Sequence, residues 1–462
     1  IMSLKSVQLA KVDIESGPSS GGDVPVAQTD GPLKRDMTLW GFFANNLNAI
    51  IGAGVLGLPY SIGQLGIVVG TIMLLFGAFL SWWGLHLLAK VGMSMVGDNL
   101  NNVLSFGGVA QIIRDNKYLS ALISLIVFFN TFTMSVVYLN TAADFLVPSF
   151  TFIAPSAPAD AWYMSRTFFL TLAWGVFGAP LSVPRTMGIL QYTSTIAMVF
   201  VVYTIFLVVA YYFQPQSTLC EAFLNKHNVT SCVGEYCCVG KDCCMGPYEV
   251  VSNGTFVSFI EAFPVMITSF CCASQLFSLV NSLRRPTVAR IDVGTSSSLI
   301  ACFCLYVIVS VFGYMTYGSE ISSDLLGSYP LTIEVTVARI GISILVIFSY
   351  PLFLHVARDS AIDILVLFFP VLKKHENALY YIMVAICVCG TYLIALLGLD
   401  MSFLLNLIGS VAVANIAFTF PGYFYWQCFS QYGLTPTRIS ALAMSVFGIA
   451  LMIANIVLWI VG

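Results

Sequence analysis

Asn45-Asn-Leu-Asn-Ala-Ile-Ile-Gly-Ala-Gly-Val-Leu-Gly-Leu-Pro-Tyr60 is the stretch on which the fold turns. It lies inside the first apolar segment, which starts near Met37, and it interrupts what would otherwise be an ordinary membrane helix. Gly52, Gly54 and Gly57 fall close together, Pro59 follows, and Asn45, Asn46 and Asn48 stand just ahead. Glycine weakens a helix by about 1 kcal/mol, and proline removes a backbone donor. Lipid does not tolerate an unpaired backbone amide, so the break is buried in protein or lines a polar cavity. Freed N–H and C=O groups at membrane depth are what a small zwitterion or a cation needs, and the stretch reads as half of a substrate site. Glycines that merely let helices pack closely are the competing reading.

The rest of the composition sets the class. Of 462 residues, 58% are hydrophobic and 9% charged, with a mean hydropathy of +0.89. Ordinary soluble domains carry about 25% charged residues. The apolar runs are continuous rather than alternating, which excludes a β-barrel. The chain is expected to be an all-α polytopic membrane protein. Residues 1–36 are polar, contain Gly, Ser and Pro, and have no apolar core of a cleavable leader; they read as a disordered tail. No basic patch points to nucleic acid.

A span needs about 20 apolar residues. Such runs fall at 38–60, 64–89, 118–147, 166–183, 188–213, 256–280, 291–317, 331–356, 378–398, 402–427 and 439–461, eleven in all. With the N-terminal tail cytoplasmic, fifteen of the 19 Lys and Arg residues fall on inner segments, and only Arg166, Lys226 and Lys241 on outer ones. An odd number of spans then puts the C-terminus on the other side.

That orientation makes 214–255 an extracytoplasmic loop. Asn228-Val-Thr and Asn253-Gly-Thr in it are N-glycosylation acceptors, the second close to the next span. Cys220, Cys232, Cys237, Cys238, Cys243 and Cys244 read as disulfide partners in an oxidising compartment. A zinc site is the rival, but the Cys-Cys doublets lack the usual spacing.

If the first span opens a repeat of five helices, the sixth should open the next. The sixth carries Pro264, followed by Thr268-Ser269. Paired interruptions at corresponding positions of two halves point to a midplane site in transporters, and five spans after an odd first five invert the second half. A plain Pro kink is the alternative. The half-helix beginning near Val55 would aim its N-terminus at the break, where free amides favour an anion such as a carboxylate. Freed carbonyls opposite suit an ammonium or a sodium ion.

At these residues the chain resembles the amino acid/auxin permease family, and within it the sodium-coupled neutral amino acid transporters. Asn48-Ala-Ile-Ile-Gly-Ala-Gly-Val-Leu-Gly-Leu58 is similar to the family's Asn-Ala-Ile-x-Gly-Ser-Gly-Ile-Leu-Gly-Leu. Asn130 to Ser135 falls on its Asn-Ile-Gly-Ala-Met-Ser, Phe312 to Gly318 on its Phe-Gly-Tyr-Leu-Thr-Phe-Tyr-Gly, and Phe420 to Tyr425 on its Leu-Pro-Gly-Leu-Phe-Tyr. The resemblance implies a LeuT-type 5+5 inverted repeat of eleven helices, with broken helices 1 and 6 around the substrate. Asn48 and an eighth-helix hydroxyl, Ser349 here, fall where the relatives bind sodium. Ile347 stands where they carry a second hydroxyl, Ala53 replaces their serine, and their histidine after Phe270-Cys-Cys is absent.

The expected function is secondary active transport of small neutral L-amino acids by alternating access, coupled to sodium or protons, with no cofactor beyond the ion. Amides of Gly52, Ala53 and Gly54, beside Val55, should hold the carboxylate. Carbonyls near Ile50, Ile51 and Ser269, beside Phe270, should take the ammonium. Asn130 or Thr133 is expected to line the pocket, and Asn48 and Ser349 to bind sodium. For protons, Glu261 is the best in-span carrier; Asp144, Glu334 and Arg339 read as snorkelling groups and His86 as a structural histidine. The tail (1–36) then precedes a first repeat (37–213), the Cys-rich loop (214–255), a second repeat (256–427) and an eleventh helix (439–461). A sensor with the same site, or a proton-coupled vacuolar or lysosomal exporter, is the alternative to a transporter of the plasma membrane. No nucleotide loop, metal cluster or nucleophile–base pair suggests an enzyme. The oligomeric state stays open.

Overall fold

The computed structural model describes residues 35–52, 54–96, 104–156, 158, 161–185, 190–214, 248–251, 262, 265–266, 269–321, 324–330, 332–399, 404 and 408–461. Among them every regular element is helical, apart from one isolated parallel bridge between Met37 and Leu283. Helix α1 (Leu39–Ile51) starts where the Thr38 hydroxyl accepts from the Gly41 amide at 3.0 Å. It stops at Gly52, and α2 (Gly54–Leu65) resumes at 51° to it. The chain then runs through α3 (Ile67–Val96), α4 (Phe106–Ile113) and α5 (Lys117–Ile153). Next come α6 (Arg166–Leu172), a π turn (Ala173–Gly178), α7 (Ala179–Ser182) and α8 (Leu190–Tyr212). The second half comprises α9 (Ala273–Ser282), α10 (Val288–Tyr317), α11 (Ile333–Phe368), α12 (Glu376–Leu396), α13 (Phe420–Cys428) and α14 (Pro436–Val461).

The starts have local causes. Asn116 accepts from the amides of Tyr118 and Leu119 to open α5, and Thr332 from that of Val335 to open α11. Arg285, at φ +53°, and Pro286 separate α10 from the preceding turn, and Thr287 caps α10 by accepting from Arg290 N. Gly66 at φ +81° turns α2 into α3, a conformation that glycine adopts without a Cβ penalty.

Among the described residues, seven helices are long and apolar enough to cross a membrane, and the bent pair α1–α2 makes an eighth. The protein is a multi-pass membrane protein. Eleven spans are expected, the first and sixth of them broken; the remaining apolar runs are not single long helices among the described residues. The run over 166–183 is divided by the π turn at Ala173–Gly178. The run over 402–427 carries two more π turns, Gly409–Val413 and Asn415–Thr419, before α13. In the run over 256–280, the last part is the short α9, and most residues before Ser269 lie outside the described ones. The long helices also exceed their expected limits: α5 continues through Pro148 to Ile153, and α11 through Pro351 to Phe368.

The core is built on α11 and α5, which pack along most of their lengths. In α11, 83% of the most apolar window is buried, against 28% in α14, although both have a mean hydropathy of 2.1. Small and polar residues make the difference: Gly341, Ser343, Ser349, His355 and Arg358 are all buried in α11. Helix α10 packs against α1, α2, α3 and α8 and brings its inner face to the break in the first span.

Arg339 corrects an expectation. It does not snorkel but is 6% exposed, and its guanidinium donates to Leu326 O at 2.7 Å in the short turn Leu325–Ser328. Glu334 and Asp144 are exposed, and Asp144 accepts from Arg166 Nε at 2.7 Å.

Candidate functional site

Two chain breaks meet in the middle of the molecule. The first is at Gly52, where α1 ends and the carbonyls of its last turn lose their helical donors. The second is at Ser269–Cys272, just before α9. A Cβ placed on Gly54 would lie 3.2 Å from Ser269 Oγ and 3.6 Å from Ser269 Cα, so the two breaks touch here. The absence of a side chain at position 54 is what permits the approach.

Tyr306 of α10 reaches between them. Its hydroxyl is 2.8 Å from Ile50 O and 3.0 Å from Ser269 O, and the residue is wholly buried. One freed carbonyl from each break therefore converges on a single point. The Tyr306 ring packs on buried Phe270, with centroids 5.0 Å apart. On the other side, Tyr138 of α5 abuts Gly52 so closely that any Cβ at position 52 would run into its hydroxyl. That hydroxyl is buried and has no hydrogen-bond partner among the described residues.

A polar cluster lies one turn before the first break. Asn48 Oδ1 accepts from Ser349 Oγ at 3.0 Å, and Asn48 Nδ2 donates to Ser194 Oγ at 3.1 Å. All three residues are fully buried, and they tie α1, α11 and α8 together. The cluster offers one amide and two hydroxyl oxygens, neutral hard donors of the kind that suits a hard cation.

Most sequence-derived candidates gather here. Ile50, Ile51, Gly52, Gly54, Val55, Ser269 and Phe270 line the breaks, and Asn48 and Ser349 touch each other. Asn130 and Thr133 are buried in α5, but the α5 residue at the break is Tyr138. At 1.5 Å per residue, Asn130 and Thr133 stand roughly 12 and 8 Å further toward the start of that helix. Ala53, Glu261, Asn228, Asn253 and the loop cysteines Cys220, Cys232, Cys237, Cys238, Cys243 and Cys244 lie outside the described residues.

Sequence reasoning passed over Ser194, Tyr138 and Tyr306. The two tyrosines carried a usable signal, because a phenol inside an apolar helix needs a partner for its hydroxyl. It also missed the partner of His86: its Nδ1 lies 3.0 Å from both carboxylate oxygens of Asp292, and Trp82 stacks on the ring.

A strap lies at one end of the broken α1–α2 span. Met37 N donates to Ser282 O at 3.0 Å, Arg284 N donates to Met37 O at 2.9 Å, and an Arg35 guanidinium nitrogen donates to Val280 O at 2.8 Å. Burial holds the Arg35 guanidinium below the usual arginine range. The segment before α1 is thereby pinned to the end of α9. At the other end, Glu249 and Val250 carbonyls accept from the Ile67 and Val68 amides, and Glu249 N donates to Tyr314.

Comparison with known proteins adds the following. A family model described as "Transmembrane amino acid transporter protein" matches residues 35–461. The chain is 26% identical to vacuolar amino acid transporter 5 of Schizosaccharomyces pombe, covering 90% of this chain and 91% of that protein. It is 25% identical to sodium-coupled neutral amino acid transporter 7 of Danio rerio, over 88% of this chain and 82% of the relative. It is 23% identical to sodium-coupled neutral amino acid transporter 4 of Homo sapiens, over 92% and 84%.

Proposed function

We propose that this chain, which belongs to the transmembrane amino acid transporter family, carries small neutral L-amino acids by alternating access around the breaks at Gly52 and Ser269. The observation that carries the reading is the convergence of Ile50 O and Ser269 O on one buried point between the two breaks. Two carbonyls so placed can accept from an ammonium group. The N-terminus of α2 at Gly54 supplies free amides and a positive helix end, which favours the carboxylate of the same substrate. A zwitterion is thus matched at both ends, while the surrounding Phe270 and Val55 suit an uncharged side chain.

The eleven runs are read as a LeuT-type 5+5 inverted repeat, with α1–α2 as its first broken helix and the segment ending in α9 as its second. The N-terminus is proposed to face the cytoplasm. The Asn48–Ser194–Ser349 cluster is the proposed sodium site, and Glu261 the carrier if protons couple instead. The relatives named as vacuolar support a second location, an acidic organelle in place of the cell surface.

Uptake of a panel of labelled amino acids into proteoliposomes tests the reading. Sodium and proton gradients are imposed separately at matched voltage. Accumulation of neutral amino acids driven by either gradient is expected. Binding without driven uptake would favour a sensor, and neither binding nor uptake across the panel would sink the proposal.

A further inference from the structure

We infer that the Tyr306 hydroxyl is an internal stand-in for the substrate's ammonium, latching the two breaks together while the site is empty. The inference rests on the reading of these breaks as the amino acid site. It begins from a mismatch in hydrogen-bonding capacity. Ile50 O and Ser269 O lie 2.8 and 3.0 Å from the Tyr306 oxygen, both within hydrogen-bond range. A phenol has one proton to donate, so it serves one carbonyl at a time. An ammonium has three N–H groups, accepts nothing, and satisfies both carbonyls at once. Each carbonyl was freed by its own helix break, and the donor that reaches both comes from a third helix, α10.

The same geometry supplies the coupling. An ammonium bound to both carbonyls takes the place of the Tyr306 oxygen, and the phenol must move. Its ring packs on Phe270, the residue that follows Ser269 in the chain. Displacement of Tyr306 therefore loosens the packing at the second break. Tyr306 is a positioning residue: it competes with the substrate rather than holding it, and it keeps the empty carrier shut.

The test uses the full chain, purified, with Tyr306→Phe and with 4-fluorophenylalanine incorporated at 306. The second fills the hydroxyl's volume without a donor and covers a folding failure of the first. Two quantities are read. One is amino acid affinity, expected to tighten about fivefold once a competing hydrogen bond is removed. The other is alkylation of half-buried Cys271, beside Phe270, followed by mass spectrometry of its peptide with no amino acid present. It is expected to speed up severalfold in both variants. A merely structural role for Tyr306 would not tighten binding. Affinity that is unchanged or weakened, or alkylation that is unchanged, overturns the assignment. If the wild-type chain binds no amino acid in the panel, the site reading fails, and the amino-acid-free alkylation rate alone then decides for or against the latch.

Discussion

Ser349 Oγ donates to Asn48 Oδ1 across 3.0 Å, and both side chains are completely buried. The residues are 301 positions apart, so the bond closes α11 onto the turn of α1 that precedes the break. Ser349→Ala strips Asn48 of that donor and leaves a buried amide oxygen unmet, which costs about 1–3 kcal/mol. Asn48→Ala takes the donor from Ser194 Oγ, while Ser349 keeps Leu345 O, 2.8 Å away, as its acceptor, so it should cost a similar amount or less. The double variant should cost less than the sum, because both singles remove the same Asn48–Ser349 bond. Thermal unfolding in detergent checks this. With sodium as the coupling ion, each single variant should also raise the sodium concentration for half-maximal uptake at least tenfold, about 1.4 kcal/mol. Uptake indifferent to sodium in the parent chain would take the ion away from this cluster while leaving the thermal loss in place.

Gly52→Ala should be severe, for a reason specific to Tyr138. The new Cβ meets the Tyr138 hydroxyl, which is held in a wholly buried position with its ring edge-on to Phe353. Overpacking of this kind costs about 1–3 kcal/mol. Uptake is expected to fall about tenfold or more, and adding Tyr138→Phe should restore part of it by removing the clashing atom. Gly54→Ala meets Ser269 Oγ at 3.2 Å and should fall at the low end of that cost. A double variant no better than Gly52→Ala alone would show that the break needs glycine for another reason.

How much of this was legible in the sequence differs from residue to residue. The first break was, because Gly52 and Gly54 weaken a helix locally, whereas α2 runs on through Pro59. Only the position shifted, from a half-helix near Val55 to one starting at Gly54. The Asn48–Ser349 pair was reached through resemblance, since no local pattern joins positions so far apart. Burial was not legible: α11 and α14 share a mean hydropathy of 2.1, and only the tertiary arrangement makes one central and the other peripheral. Apolar runs likewise cannot announce π turns, which depend on how neighbouring helices take up an extra residue. Ser194 was invisible because one serine in an apolar run is usually just a packing residue.

Arg339 was expected to reach for an interface and instead turns inward to Leu326 O. Its work is to hold the turn Leu325–Ser328, which packs against α2 just beyond the break. Arg339→Met keeps much of the volume but leaves the Leu326 carbonyl without its charged donor. A loss of about 1–3 kcal/mol is expected, read as thermal stability. Faster proteolysis in the 325–328 turn should accompany it. Arg339→Lys should recover little of the loss, because a compact ammonium does not reproduce the guanidinium's reach or its planar fork. Full recovery by lysine would reduce the role of Arg339 to charge alone.

The strap at the start of α1 gives the most direct test of movement. Met37 and Leu283 are bridge partners, and the amide of Met37 and its carbonyl are both bonded to the end of α9. Paired positions of this kind lie within the Cα separation that a disulfide spans, about 4.4–6.8 Å. A Met37→Cys/Leu283→Cys chain should therefore cross-link under mild oxidation without rearranging the backbone. If this end of the span opens during each cycle, the link stops uptake and a reductant restores it, while the two chains carrying only one of the added cysteines transport normally before and after oxidation. Binding of the amino acid from the opposite end should survive the link, which separates a locked gate from a damaged site. Undiminished uptake in a fully cross-linked chain would mean that residues 35–37 ride with α9 through the cycle, and that the opening on this side lies between other helices.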